Sequence, residues 1–256
     1  IVVWVGVANY MAGQSLNAAL MGILFLLALF LSVVLHEYGH ALTARRFGIA
    51  TRDITLLPIG GVARLERMPE KPIQELWVAL MGPAVNVVIA VVLFLLLLVT
   101  GTMQPLSSLS LTEGNFFERL MVTNLFLALF NLLPAFPMDG GRVVRALLAS
   151  RMEYTRATQI AASLGQGIAL MLALFGLFNN PFLLFIAFFV WIGAGQESDM
   201  VQVKSVLAGI PVNRAMITNF ETVAPTDPLA RAVQLLLSGT QQDFPVTVDG
   251  RVVGIL

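Results

Sequence analysis

Apolar residues cluster along this 256-residue chain into six segments: 1–11, 16–44, 76–100, 116–133, 160–178 and 182–195. A helix needs about 20 apolar residues to cross a bilayer, so most of these segments are expected to be membrane helices. The first starts directly at Ile1 and is expected to be a span cut short, and nothing around it reads as a removable signal peptide. Two regions break the helical pattern. From Asp53 to Glu66 the chain is rich in β-branched residues, is interrupted by Pro58 and has a Gly60-Gly61 pair, which predicts a hairpin turned at the glycines. From Pro211 to Leu256 the composition becomes that of a soluble domain, with a strand, a helix over 228–238, a strand over 244–248, a turn at Asp249-Gly250 and a last strand. The expected fold is an α-helical polytopic membrane protein of about six transmembrane helices with a small membrane-associated β-hairpin and a short α/β tail. The expected divisions are a membrane domain over 1–200, a linker over 201–210 and the tail over 211–256.

Charge orients the helices. Arg45, Arg46, Arg52, Arg64, Arg67 and Lys71 follow the second apolar segment, and Arg142, Arg145, Arg151 and Arg156 follow the fourth. The alternate loops, 12–14, 101–114 and 179–181, have no Lys or Arg. Cytoplasmic loops of membrane proteins carry the basic excess, so the basic loops and the tail are expected on the cytoplasmic side of a cell (inner) membrane. Glu113, Glu118 and Arg119 are then read as a solvated helix start at the outer interface.

Composition narrows the chemistry. The chain is 57% hydrophobic and 12% charged, with a mean hydropathy of +0.84, values that exclude a typical soluble enzyme and a disordered chain. Fifteen basic residues balance fifteen acidic ones, leaving no basic excess for nucleic acid. With no cysteine, disulfides and thiolate metal sites are excluded, and a transition metal would have to be held by His and carboxylate.

There are only two histidines, and they occur in His36-Glu37-Tyr38-Gly39-His40. Residues at i and i+4 share a helix face, so the two imidazoles point the same way, with the intervening Glu placed to act on water at a metal. With two His and nine Glu in the chain, chance would produce this arrangement about 3 times in 10,000. Counted back from Arg45, the pair lies roughly 8 to 14 Å inside the cytoplasmic interface, a costly depth for polar side chains that neither pair nor bind. A hydrogen-bonded polar knot between helices is the alternative.

Catalytic zinc uses three protein ligands and keeps one position open. Once the histidines are used, the third must be Asp or Glu, and Asp139 in N-L-L-P-A-F-P-M-D-G-G-R is the best candidate. Pro134 and Pro137 break the fourth helix there, and the glycines let the chain turn a carboxylate back toward the second helix. The competing reading makes Asp139 only the N-cap of a helix over 140–150.

Taken together, H-E-Y-G-H on one helix, G-P-A-V-N on the next and N-L-L-P-A-F-P-M-D-G-G on the one after resemble the site-2 protease family of intramembrane zinc metalloproteases. The tail is similar to the first part of a CBS domain. The resemblance implies a six-helix core, one zinc per chain on His36, His40 and Asp139, Glu37 as catalytic acid/base, and a membrane-anchored protein substrate first trimmed by another protease. Such cleavage releases a transcription factor or destroys an inhibitor. CBS motifs work in pairs and this one stops before it closes, so adenine-nucleotide binding is implied only for a complete pair. Homo-oligomerisation is left open.

Two asparagines are candidates for contact with substrate or oxyanion: Asn86 in the third helix and Asn131 before the proline-rich break. Interhelical hydrogen bonding is the bland alternative for both. The strand-like stretches 54–57 and 62–65 could pair with an unwound substrate or merely gate access. The rival function is a CBS-regulated transporter or channel with an intramembrane metal or proton site. A transport path should scatter charges over several helices, whereas here they converge on one point. A metal-binding chaperone would tolerate Gln at position 37, and the Glu argues against it.

Overall fold

The computed structural model describes residues 2–13, 15–57, 60–66, 69, 71–102, 114–208, 210–216, 218–239 and 241–256. Pro58, Arg67, Glu113 and most of the 101–114 loop therefore lie outside the described residues. The chain divides into two compact units, Ile1–Ser205 and Val206–Leu256.

The first unit is mainly helical. Helix α1 covers Val2–Gly13, α2 Leu16–Arg46, α3 Pro72–Thr100, α4 Phe116–Asn131, α5 Asp139–Ala149, α6 Tyr154–Asn179 and α7 Phe182–Leu207. Local signals explain several ends. Ser15 caps α2 by accepting from Ala18 N, and Arg45 and Arg46 complement the helix dipole in its last turn. Pro72 opens α3, where its missing N–H costs nothing, and Gly101 closes it at φ 63°, a conformation open to glycine. Asn115 and Glu118 form a reciprocal capping box on α4.

Among the described residues four helices, α2, α3, α6 and α7, are long and apolar enough to cross a membrane. Large apolar side chains such as Leu24, Leu31, Val92, Leu95, Phe185 and Phe188 stand exposed along these helices. In water they would form patches well beyond those of a soluble monomer, and lipid is the solvent that suits them. The other two expected spans are helical but short: α1 has 12 residues and α4 has 16. Helix α4 stops at Asn131 because Pro134 has no N–H and disfavours helical backbone at the residue before it.

Two further expectations are corrected. The hairpin forms, with β1 (Thr51–Leu57) antiparallel to β2 (Gly60–Leu65), but Gly60 pairs with Leu57 and Gly61 with Leu56. The glycines thus lie in the strand. Helix α7 runs through most of the expected linker to Leu207, and the boundary between the two units falls inside it. Glu118 is buried in its capping box rather than solvated, and the Arg119 guanidinium lies 4.5 Å from the centre of the Phe25 ring.

The second unit contains a one-turn helix α8 (Val212–Ala215), α9 (Leu229–Ser238) and the antiparallel pair β3 (Pro245–Val248) and β4 (Arg251–Ile255). Asp249 and Gly250 both take positive φ in the tight turn between the strands, as the Asp-Gly pair predicts. Val223 bridges Val246 in parallel. The strand expected near the start of the tail is thus a single bridge.

Candidate metal centre

Helix α2 carries His36, Glu37 and His40, all buried. Helix α3 packs tightly against it because two glycines face the contact. A Cβ on Gly39 would lie 2.6 Å from the Met81 carbonyl oxygen. A Cβ on Gly82 would overlap the His40 Nε2 and lie 2.7 Å from the His36 Nε2. The chain from 132 to 138 is irregular and passes through the buried Ala135, Phe136 and Met138 before α5 begins. Asp139 is the first residue of that helix and Met138 its N-cap, so the carboxylate is not spent on capping.

The three side chains meet. Asp139 Oδ2 lies 3.2 Å from His36 Nε2 and 3.1 Å from His40 Nε2, and the two Nε2 atoms are 3.1 Å apart. Tetrahedral zinc with bonds of 2.0–2.2 Å holds its N and O ligands about 3.3 Å from one another. The observed triangle fits that demand. The opposite ring nitrogens are also prepared: His36 Nδ1 donates to Asn86 Oδ1 at 2.5 Å and His40 Nδ1 donates to the Val78 carbonyl at 2.7 Å. Each imidazole thus keeps its proton on Nδ1 and presents Nε2 as the ligand, which is how protein-bound zinc sites orient histidine. Among the described residues this is the cluster that could hold a metal.

Glu37 is buried one residue from His36 on the same helix. Asn86 is 1% exposed, with its carbonyl on His36 and its amide donating to Asn124 Oδ1 at 2.9 Å. Both ends of the group expected to meet substrate are engaged inside the protein. Asn131 is partly buried and donates to the Leu127 carbonyl of its own helix at 3.0 Å.

Other participants were missed. Arg145, read above only as a charge that sets orientation, is wholly buried on α5. Its Nε donates to Glu75 Oε1 of α3 at 2.7 Å, its NH1 pairs with Glu197 of α7, and it stacks over the Phe136 and Tyr154 rings at 5.0 and 5.1 Å. Burial alone would lower the Arg145 pKa, but Glu75, Tyr154 and Glu197 more than reverse this and hold it charged. The helix that delivers Asp139 is thereby bolted to α3 and α7. An amphipathic reading of D-G-G-R-V-V-R-A-L-L-A, with one Arg turned inward, is the only local signal for it.

A helical membrane body with two histidines and an aspartate gathered inside it defines a membrane-embedded metal site. Comparison with known proteins makes the class specific. The model of peptidase family M50 matches residues 24–113 and 102–174. The chain is 36% identical over 241 residues to a zinc metalloprotease of Methanocaldococcus jannaschii, covering 94% of this chain and 68% of that one. It is 28% identical over 157 residues to stage IV sporulation protein FB of Bacillus subtilis, covering 61% and 51%. The solved structure of the site-2 protease from Methanocaldococcus jannaschii superposes with a TM-score of 0.56 at 35% identity, covering 87% of this chain and 89% of that one. The chain belongs to peptidase family M50, and it is an intramembrane metalloprotease that uses zinc.

Proposed function

We propose that this protein hydrolyses peptide bonds within the transmembrane segments of membrane-anchored proteins, with His36, His40 and Asp139 as the zinc ligands and Glu37 as the proton carrier. The observation that carries the assignment is the 3.1–3.2 Å triangle of two Nε2 atoms and one carboxylate oxygen from α2 and α5. When bound there, zinc supplies Lewis acidity to the scissile carbonyl and lowers the pKa of water. The Glu37 carboxylate accepts a proton from the attacking water as its oxygen bonds to the carbonyl carbon. The same carboxyl then returns the proton to the amide nitrogen as the C–N bond breaks, leaving a carboxylic acid and an amine. Asn86 and Val78 hold the imidazoles in the productive orientation throughout.

A helical substrate hides its carbonyls in its own hydrogen bonds and must unwind. The β1–β2 hairpin is two-stranded, so each strand has an edge without a strand partner among the described residues. An extended substrate could add there through its main chain. A cavity of about 400 Å³ lined by Tyr38, Leu42, Arg45, Thr51 and Asp53 lies between α2 and β1 and offers room for a substrate side chain. The positive-inside asymmetry supports a cytoplasmic hairpin and tail, and the tail is read as a CBS-like segment. Substrates are expected after a first cut by another protease. The test is incubation of the purified protein in detergent with a candidate transmembrane segment, with and without chelator. Chelator-sensitive cleavage inside the apolar segment supports the reading, and no cleavage across a panel of such segments contradicts it.

A further inference from the structure

Beyond the ligands and Asn86, a buried chain of hydrogen bonds runs away from the metal centre and returns to the helix it left. His36 Nδ1 on α2 meets Asn86 Oδ1 on α3, Asn86 Nδ2 donates to Asn124 Oδ1 on α4, and Asn124 Nδ2 donates to Ser32 Oγ, back on α2, at 3.3 Å. Asn86, Asn124 and Ser32 are all buried, Asn124 completely.

The direction of this ring is set by groups that cannot reverse. Asn124 Nδ2 also donates to the Leu120 carbonyl at 2.9 Å, and Ser32 Oγ donates to the Ala28 carbonyl at 3.1 Å. A backbone carbonyl only accepts. The amide end of Asn124 must therefore face Leu120, which turns its carbonyl toward Asn86. That oxygen only accepts as well, so the Asn86 amide must face Asn124 and the Asn86 carbonyl must face His36. An acceptor at His36 Nδ1 holds the proton there and frees Nε2. We infer that Asn124 is a positioning residue of the metal centre, which fixes the tautomer of His36 through Asn86 although it touches neither metal nor substrate. Without Asn124 the Asn86 amide loses its acceptor and is free to rotate. It would then donate to His36 Nδ1 and drive the proton to Nε2, the form that cannot bind zinc.

The inference rests on the zinc-protease reading, and the experiment separates the two. Histidine is labelled with ¹⁵N in this 256-residue chain in detergent. Only two residues carry the label, and His40→Gln assigns their signals. In metal-free wild-type protein the His36 Nδ1 is expected to carry a proton. Zinc affinity is then measured by competition with a chromophoric chelator. Loss of an outer partner of a metal-bound histidine typically costs 10–100-fold, so Asn124→Ala is expected to weaken zinc by about tenfold or more and to lose the Nδ1 proton signal. Asn124→Asp is expected to recover to within about threefold, because its carboxyl oxygen keeps the acceptor that the Asn86 amide faces. A purely structural role would lower the melting temperature of Asn124→Ala without moving zinc affinity or the proton. An unprotonated His36 Nδ1 in wild type overturns the inference without any variant. So does wild-type zinc affinity in Asn124→Ala, or an Asn124→Asp protein as weak as Asn124→Ala. A wild-type protein that binds no zinc would instead sink the protease reading itself.

Discussion

The Cβ that Gly82 lacks would sit on the Nε2 of His40. The third helix thus comes so close to the two imidazoles that only a hydrogen fits between, and the G-P-A-V-N motif acquires a steric reason. Gly82→Ala should displace both imidazoles and abolish zinc binding, with the helical content unchanged. Circular dichroism and elemental analysis on the same sample check this, and a fully zinc-loaded alanine variant would show that the helices can part without cost.

In the proposed site Asp139 comes from a separate helix, and its loss should leave two histidines unable to retain the metal. We expect about one zinc per chain in wild type and little in Asp139→Ala or His36→Ala. Full zinc in the Asp139→Ala protein would remove that carboxylate from the metal.

Arg145 pairs with Glu75 and Glu197 while itself fully buried. Arg145→Met leaves carboxylates without their partner, a change that costs about 3–5 kcal/mol when a buried pair is broken. Thermal unfolding in detergent should show a clear drop in midpoint. The Glu197 side chain is 23% exposed, so Glu197→Gln should be milder. Equal midpoints for wild type and Arg145→Met would mean that this cluster does not hold α5.

The site was more legible than its supports because its signals are local. His36 and His40 are one helical turn apart, and Asp139 stands in a proline- and glycine-rich break that suits no ordinary span. The pairs Arg145–Glu75 and Arg145–Glu197 join residues 70 and 52 positions apart, and no periodicity in the sequence links them. Asn124 looks like a stray polar residue in an apolar helix, and Ser32 means something only once its place one turn before His36 is joined to it through two other helices. The hairpin was legible from its β-branched residues but not its turn, because two glycines suit a strand packed closely on a neighbour as well as a reversal. Polar residues after 195 mark where α7 changes surroundings, while its backbone bonds continue through most of the expected linker to Leu207.

The orientation rests on the distribution of Arg and Lys. Single cysteines introduced into this cysteine-free chain can be labelled from one side of sealed vesicles. Lys71→Cys should react from the cytoplasmic face and Thr102→Cys from the opposite face. Reaction of Thr102→Cys from the cytoplasmic side would invert the map.

The central claim is that Glu37 moves the proton while His36, His40 and Asp139 hold the metal, and Glu37→Gln addresses it most directly. Glutamine keeps the shape and much of the hydrogen bonding of glutamate but cannot accept the proton of water. Cleavage of a transmembrane substrate by the purified variant, measured as a rate beside its zinc content, should fall by about 10² or more with zinc at the wild-type level. Near-normal cleavage by the zinc-loaded variant would contradict the account.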